Sequence, residues 1–322
     1  MLSISIVIPC KNEEKYISRC IDSLLRQEGM VLDREIIVVD NGSTDNTLKI
    51  LEKYGSEITF YVKPDLSIAE LRNFGVEKSI KEWIAFVDAD VEVDKYWAKM
   101  LNRFLEDQLD KGNDIKNIIT GSTCLVPNNP SWVEQVWYEQ LMLRDATVTK
   151  YINSGNLILH REMFNRLGGF DPFYKTGEEE KLCENARLYH NAIIIKSNDI
   201  KAVHHGYPKN IKSFFRRMRW HGLGMSRYLS TPWKSKPLLL ATYYLLSTIV
   251  YIILVAIFKN IFYFSILLLF LQLTPALLYA AQRYRSKMKK VLLLTILYYF
   301  FGWARAFSII DMLFQREISQ NK

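Results

Sequence analysis

Between residues 200 and 310 the chain carries 16 lysines and arginines and not one aspartate or glutamate, whereas residues 1–199 carry 24 basic against 32 acidic residues. Inside the basic stretch lie two uncharged runs, 22 residues between Lys236 and Lys259 and 23 between Lys259 and Arg283. About 20 apolar residues are enough for a helix to span a bilayer. Two such runs separated by Lys259-Asn260 alone argue against buried helices of a water-soluble core. A basic, acid-free flank suits the anionic surface of membrane lipids and speaks against nucleic acid as partner. Basic clusters at 209–236 and 282–290 put both outer flanks on the cytoplasmic side, with the Lys259-Asn260 tip outside. Val291 to Ala304 is uncharged for only 14 residues before Arg305, which leaves a spanning and a re-entrant course both open. Trp303 and Arg305 serve as interface anchors in either course.

The first two hundred residues read differently. Ile4, Ile6, Val7 and Ile8 form a near-continuous apolar run, as does Glu35–Asp40, the pattern of strands covered on both faces. Helical spacing follows at Ile17, Cys20, Ile21, Leu24 and Leu25, and a third strand is expected over Ile58–Val62. Ser67 with Glu70, and Ser131 with Glu134, have the spacing of capping boxes. Strands alternating with helices predict an α/β domain with a mostly parallel sheet and helices on both faces. Cys10, Cys20, Cys124 and Cys183 show no close pair of metal-ligand spacing and read as reduced, packed thiols. Met1-Leu2-Ser3-Ile4 enters its strand without the charged region or cleavage site of a signal peptide.

In such sheets ligands gather beyond the carboxyl ends of the strands. Three strands here end in polar clusters: Lys11-Asn12-Glu13, Asp40-Asn41 and Asp88-Ala89-Asp90. If the strand continues through the last of these, Asp88 and Asp90 face the same way. Two hard oxygen donors there suit a divalent cation with positions left for phosphate oxygens.

Together, Ser5–Glu13, Val38–Asp45, Leu71–Gly75 and Asp88–Asp90 resemble glycosyltransferase family 2, in order over residues 3 to about 220. The resemblance implies the nucleotide-sugar-binding GT-A fold. It implies that Pro9, Glu13 and Asp40 line the base and ribose pocket, with Arg72 nearby, and that Asp88, Ala89 and Asp90 meet the ribose and the metal-diphosphate. A carboxylate such as Asp40 accepts from the imino N–H of a uracil-like base, so a UDP-sugar is the expected donor and Mg²⁺ or Mn²⁺ the expected ion. Arg72 suits diphosphate charge, and a solvated helix arginine is its other reading. Glu13 reads equally as a first-turn helix residue favoured by the dipole.

Ser154–Arg161 and Gly168–Asp171 resemble the acceptor half of the same family, followed by Gly177-Glu178-Glu179-Glu180-Lys181. Carried over, Glu179 is the catalytic base. Glu stands there for the commoner Asp, and Lys181 occupies the place of a further Asp, so Glu178 and Glu180 remain rivals. One histidine of His204-His205 is a candidate metal ligand or diphosphate contact, with His205 preferred. Arg216-Arg217-Met218-Arg219-Trp220 resembles the family's segment that closes the donor–acceptor interface, with Arg219 against leaving-group charge and Trp220 walling the acceptor. The stripe Ile211, Phe214, Phe215, Met218 among basic residues also fits an interfacial helix.

The expected organisation is a GT-A catalytic domain over 1–207, a basic interfacial segment over 208–236 and a membrane domain over 237–322, with helices at about 238–258, 261–282 and 291–311. The expected activity is inverting, metal-dependent sugar transfer from a nucleotide-diphosphate sugar to a lipid-linked glycan at the cytoplasmic face of the cell membrane, in surface polysaccharide assembly. Two other readings stand beside it: a polyprenyl-phosphate sugar synthase, and a non-catalytic nucleotide-sugar-binding membrane protein. Donor sugar, linkage and self-association are left open.

Overall fold

A computed structural model describes residues 2–142, 147–284 and 287–314. Arg285, counted in the second basic cluster, and the tail 315–322 of the expected membrane domain lie outside the described residues. Contacts divide the chain into two units, Met1–Asn128 with Met142–Tyr207, and Asn129–Leu141 with Pro208–Lys322.

The first unit is built on a mixed sheet. Its strands are β1 (Leu2–Cys10), β2 (Leu32–Asp40), β3 (Thr59–Val62), β4 (Trp83–Val87), β5 (Val91–Val93), β6 (Ile118–Gly121), β7 (Asn156–His160), β8 (Ile193–Lys196) and β9 (Ala202–His204). Seven of them form one sheet in the order β3-β2-β1-β4-β7-β6-β8. All neighbours in it are parallel except β7, which runs against both β4 and β6. The helices of this unit are α1 (Ile17–Leu25), α2 (Thr47–Glu52), α3 (Ile68–Glu77) and α4 (Trp97–Asp110), then, past the second unit's α5 (Trp132–Met142), α6 (Arg161–Leu167) and α7 (Glu178–His190).

The apolar runs are explained by burial on both faces. On β4, Trp83, Ala85 and Val87 join one core with Ile21 of α1 and Leu101 of α4, while Ile84 and Phe86 join the other with Val76 of α3 and Leu182 of α7. The capping box at Ser67 forms: Glu70 N–H donates to Ser67 Oγ at 3.3 Å and Ser67 N–H to Glu70 Oε2 at 2.7 Å. Cys10 pairs in register with Asp40, and Val7 with Phe86, so the polar clusters after β1, β2 and β4 emerge along one edge. Because β7 is antiparallel, its start returns to that edge, with Asn156 opposite Val87.

A 3₁₀ turn, Ile115–Asn117, precedes β6, and Asp114 there accepts from Lys116 N–H. Strand β9 stands outside the main sheet and pairs antiparallel with β5. That pairing sets Val91 opposite His204, immediately beside Asp90.

The second unit contains α5, α8 (Ile211–His221), α9 (Lys236–Phe258), α10 (Ile261–Arg283) and α11 (Met288–Leu313). The sequence reading placed 129–141 within 1–207; these residues group instead with the C-terminal helices. The reason is Trp137, whose ring packs on Phe214, Tyr298 and Phe301 at 4.8, 5.0 and 5.3 Å between centroids. The apolar stripe of α8 is also largely internal, with Phe214 and Met218 buried and Phe215 against Phe307. It is therefore not a free membrane-facing surface.

Helices α9, α10 and α11 are each long and apolar enough to cross a membrane. Pro275 lies inside α10 and has no N–H for the carbonyl of Leu271. The Tyr243 hydroxyl of α9 donates to that carbonyl at 2.9 Å, and Tyr244 donates to the carbonyl of Gln272 at 2.9 Å. Large apolar side chains near the α9–α10 tip, from Ile249 to Phe270, stay exposed.

Candidate active site

The two loops after β1 and β2 behave as one body. Asn12, at a left-handed φ of 55°, donates from its N–H to Ser43 Oγ at 2.7 Å and accepts from Thr44 N–H at 2.8 Å. Glu13 N–H donates to Thr47 Oγ1 at 2.8 Å, and Glu14 Oε2 accepts from Asn46 N–H at 3.0 Å. Asp40, fully buried, accepts from both the N–H and the hydroxyl of Ser43, at 2.7 and 2.5 Å. Pro9, on β1 opposite Val39, is buried, and so is Glu13.

Asp88 and Asp90 come together by a turn rather than by strand alternation: Val91 N–H closes onto the Asp88 carbonyl at 2.9 Å before β5 begins. Ligand atoms of Asp88, Asp90 and His204 all lie within 4.8 Å of one another. Two carboxylates and an imidazole form a donor set suited to Mg²⁺ or, with the nitrogen, Mn²⁺. Gly206 permits this geometry, since a Cβ there would collide with the Asp90 carboxylate.

The histidine beside the acid pair is thus His204, not His205. His205 is turned toward Glu92, 2.7 Å from Nε2, and Arg19, 3.1 Å from Nδ1. His204 stacks flat on Tyr207, 4.1 Å between centroids, and Tyr207 is held by its hydroxyl donating to the Cys124 carbonyl. The sequence favoured His205 because the β5–β9 pairing that presents His204 is non-local.

Arg72 on α3 is not a solvated helix arginine. It is 2% exposed, with one terminal nitrogen 2.9 Å from Asp88 and the other 2.5 Å from Glu178. Burial disfavours its charge, but Asp88 and Glu178 outweigh that and raise its pKa above the ordinary value. Glu178 opens α7 after Gly177, which takes a left-handed φ of 80°, so three glutamates occupy the first turn at the positive end of the helix. The arginine claims Glu178. Burial, with Glu178 adjacent, pushes the carboxyl of Glu179 up to about 8. Lys181, which breaks the family's acidic pattern, pairs with Glu184 at 3.1 Å, one turn further along.

Arg219 and Trp220 sit on α8 in the second unit. Arg219 makes a two-pronged pair with Asp311 of α11, both contacts 2.6 Å, and the Trp220 ring lies edge-on to His221. The first unit therefore gathers Arg72, Asp88, Asp90, Glu178 and Glu179, and adds His204, Gly206 and Tyr207.

A family model described as Glycosyl transferase family 2 matches residues 5–168. Over 117 residues the chain is 31% identical to poly(ribitol-phosphate) beta-N-acetylglucosaminyltransferase TarS of Staphylococcus aureus (strain Mu50 / ATCC 700699), covering 33% of this chain and 19% of that protein. It is 36% identical over 107 residues to the lipopolysaccharide core biosynthesis glycosyltransferase LpsC of Rhizobium meliloti (strain 1021), covering 32% of this chain and 37% of that protein. The matched segments thus span well under half of these relatives. Among solved structures, the mannosyltransferase PcManGT from Pyrobaculum calidifontis, in complex with GDP-Man and Mn²⁺, is similar with a TM-score of 0.60 at 16% identity, covering 98% of this chain and 88% of that one. At that identity the likeness speaks for the fold alone.

Proposed function

The chain belongs to glycosyltransferase family 2, and from that premise we propose that it moves a sugar, with inversion, from a nucleoside-diphosphate sugar to a lipid-linked glycan at the cytoplasmic membrane face, in surface polysaccharide assembly. The observation that carries the reading is the buried Arg72, which ties the acidic strand end at Asp88 to the glutamate-bearing turn at Glu178. One side chain thereby fixes the donor-binding carboxylates relative to the expected base. With Glu178 held by the arginine, Glu179 is the proposed proton acceptor, as the family resemblance implies, and Glu180 is its remaining rival. Its Oε accepts the proton of an acceptor hydroxyl as that oxygen bonds to the anomeric carbon and the diphosphate oxygen departs from the opposite face. No second carboxylate nucleophile is needed.

Asp88, Asp90 and His204 would hold a divalent ion, which when bound supplies positive charge to the diphosphate leaving group. Asp40, Pro9 and Glu13 form the proposed nucleoside pocket. A UDP-sugar is the donor proposed from Asp40; the complex of PcManGT with GDP-Man makes a guanine nucleotide the natural comparison. The name of the LpsC relative supports a surface glycan as acceptor. Arg219 at the leaving group and Trp220 at the acceptor remain proposals from the family resemblance. The three long apolar helices and their basic flanks support a multi-pass anchor with the catalytic unit in the cytoplasm.

A polyprenyl-phosphate acceptor is the second reading, and the protonation of the buried Glu179 bears on it. A carboxyl raised to about 8 is mostly protonated at neutral pH, and a lipid phosphate, already ionised, needs no base. The test is a panel of UDP- and GDP-sugars with membrane lipid extract, with and without chelator. Donor consumption that depends on metal and is lost in Asp90→Ala supports transfer; no consumption of any donor overturns it. Near-normal turnover of Glu179→Gln would assign the phosphate acceptor instead.

A further inference from the structure

Among the described residues of its unit, Arg305 is a cation with no acidic side chain paired to it. The acidic side chains described in that unit are Glu134, Glu139 and Asp311, and none pairs with Arg305. Glu134 accepts from Ser131 N–H through one oxygen in a capping box while its other oxygen is buried without a hydrogen-bond partner, Glu139 pairs with Lys290 at 2.6 Å, and Asp311 is held by both prongs of Arg219. Arg305 instead lies over the Phe301 ring, 4.7 Å from its centroid, and its Nε is buried without a hydrogen-bond partner. A Cβ at Gly222 would meet the Arg305 Cδ at 3.4 Å, so the turn after α8 covers the aliphatic stem. Leaving a guanidinium partly buried without an anion is costly, and with no acid between residues 200 and 310 and Asp311 taken by Arg219, a partner from outside the chain fits the site.

The place of Arg305 along the helices narrows the choice. Helix α11 meets the hairpin near its open end: Tyr298 packs on Tyr279, Trp303 on Tyr244, and Ile309 and Met312 on Leu238. The exposed apolar tip between Ile249 and Phe270 lies farther along α9 and α10. With the exposed apolar side chains of α9 and α10 in hydrocarbon, Arg305 stands at the headgroup depth of the opposite, open end, where phosphate is the abundant anion. A guanidinium fork matches phosphate oxygens two at a time, and a neighbouring ring fits the lipid beside them.

We propose that Arg305 binds the phosphate of a membrane lipid, either the phosphorylated head of the acceptor lipid or that of an anionic phospholipid. The inference rests on the membrane-anchored reading above. Nothing in the sequence alone separates Arg305 from the other basic residues of this half; its lack of an internal partner does.

The test uses the full chain in phosphatidylcholine nanodiscs doped with phosphatidylglycerol in one arm and undecaprenyl diphosphate in the other, with retained lipid read by native mass spectrometry. The wild type is expected to hold one dopant above its bulk proportion, and Arg305→Gln to lose it by about tenfold. Arg305→Lys, which keeps charge but not the fork, is expected to fall between. Enrichment of the diphosphate alone identifies acceptor binding, and enrichment of phosphatidylglycerol identifies a structural lipid. Should the wild type enrich neither, or Arg305→Gln hold both as the wild type does, the proposal fails. If Arg305→Gln does not fold, wild-type enrichment together with wild-type-like retention by Arg305→Lys also rejects the fork. Flotation with phosphatidylcholine vesicles separates this outcome from a failure of the anchor itself, since flotation does not depend on Arg305.

Discussion

Arg72 and Glu178 form an ion pair in the interior of the first unit, 106 residues apart in sequence and 2.5 Å apart in space. The second nitrogen of the same guanidinium holds Asp88. Two parts of the site that arrive on different elements, the end of β4 and the start of α7, are thereby set by one rigid, planar group.

Removing that group leaves Glu178 buried and unpaired. Arg72→Ala is expected to lower stability by about 3–5 kcal/mol, as for other broken buried pairs. Arg72→Lys should recover part of the stability but little of the activity, because an ammonium cannot serve both carboxylates in this geometry. Urea denaturation with steady-state kinetics checks both, and an Arg72→Ala, Glu178→Gln double variant more stable than Arg72→Ala alone would attribute the loss to the stranded charge.

The two adjacent histidines should behave oppositely. His204→Asn is expected to weaken Mn²⁺ binding about 10- to 100-fold by calorimetric titration, while His205→Asn, facing Glu92 and Arg19, should change it little. Equal effects from both would remove His204 from the ion site. Gly206→Ala should act like His204→Asn, because its new methyl group displaces Asp90.

Glu179 gives the pH dependence its direction. Its folded-state value is raised from the ordinary 4.5 to about 8, chiefly by burial. The folded chain therefore binds more protons than the unfolded one between those values. Stability attributable to this group is present below about 4.5 and lost as pH rises through about 8. Activity runs the other way: kcat/KM for a hydroxyl acceptor should climb as pH rises through about 8. Glu179→Gln is expected to flatten the stability slope and abolish the rise in rate, readable from melting temperatures and initial rates across pH 5–9.

Much of the sheet could be read from the chain because its evidence is local. Runs such as Ile6–Ile8 and Trp83–Val87 are apolar at every position, as a strand covered on both faces requires. The Ser67–Glu70 capping box is likewise decided within four residues. What escaped the sequence depends on partners far away. The choice of His204 over His205 follows from β9 pairing with β5, and the burial of Arg72 from an acid supplied by α7. The grouping of α5 with the C-terminal helices hangs on Trp137 finding Phe214 and Tyr298, which helical periodicity cannot reveal.

The hydroxyl of Tyr243 and the ring of Pro275 are coupled through one carbonyl, that of Leu271. Replacing Pro275 restores an N–H that can take the Leu271 carbonyl, and the tyrosine hydroxyl then becomes the surplus group. Replacing Tyr243 while the proline remains strands the carbonyl in apolar surroundings, where an unmet acceptor is most expensive. The two positions are therefore not interchangeable in time: a lineage can lose the proline first and the hydroxyl afterwards with little harm, whereas the reverse order passes through a damaged intermediate.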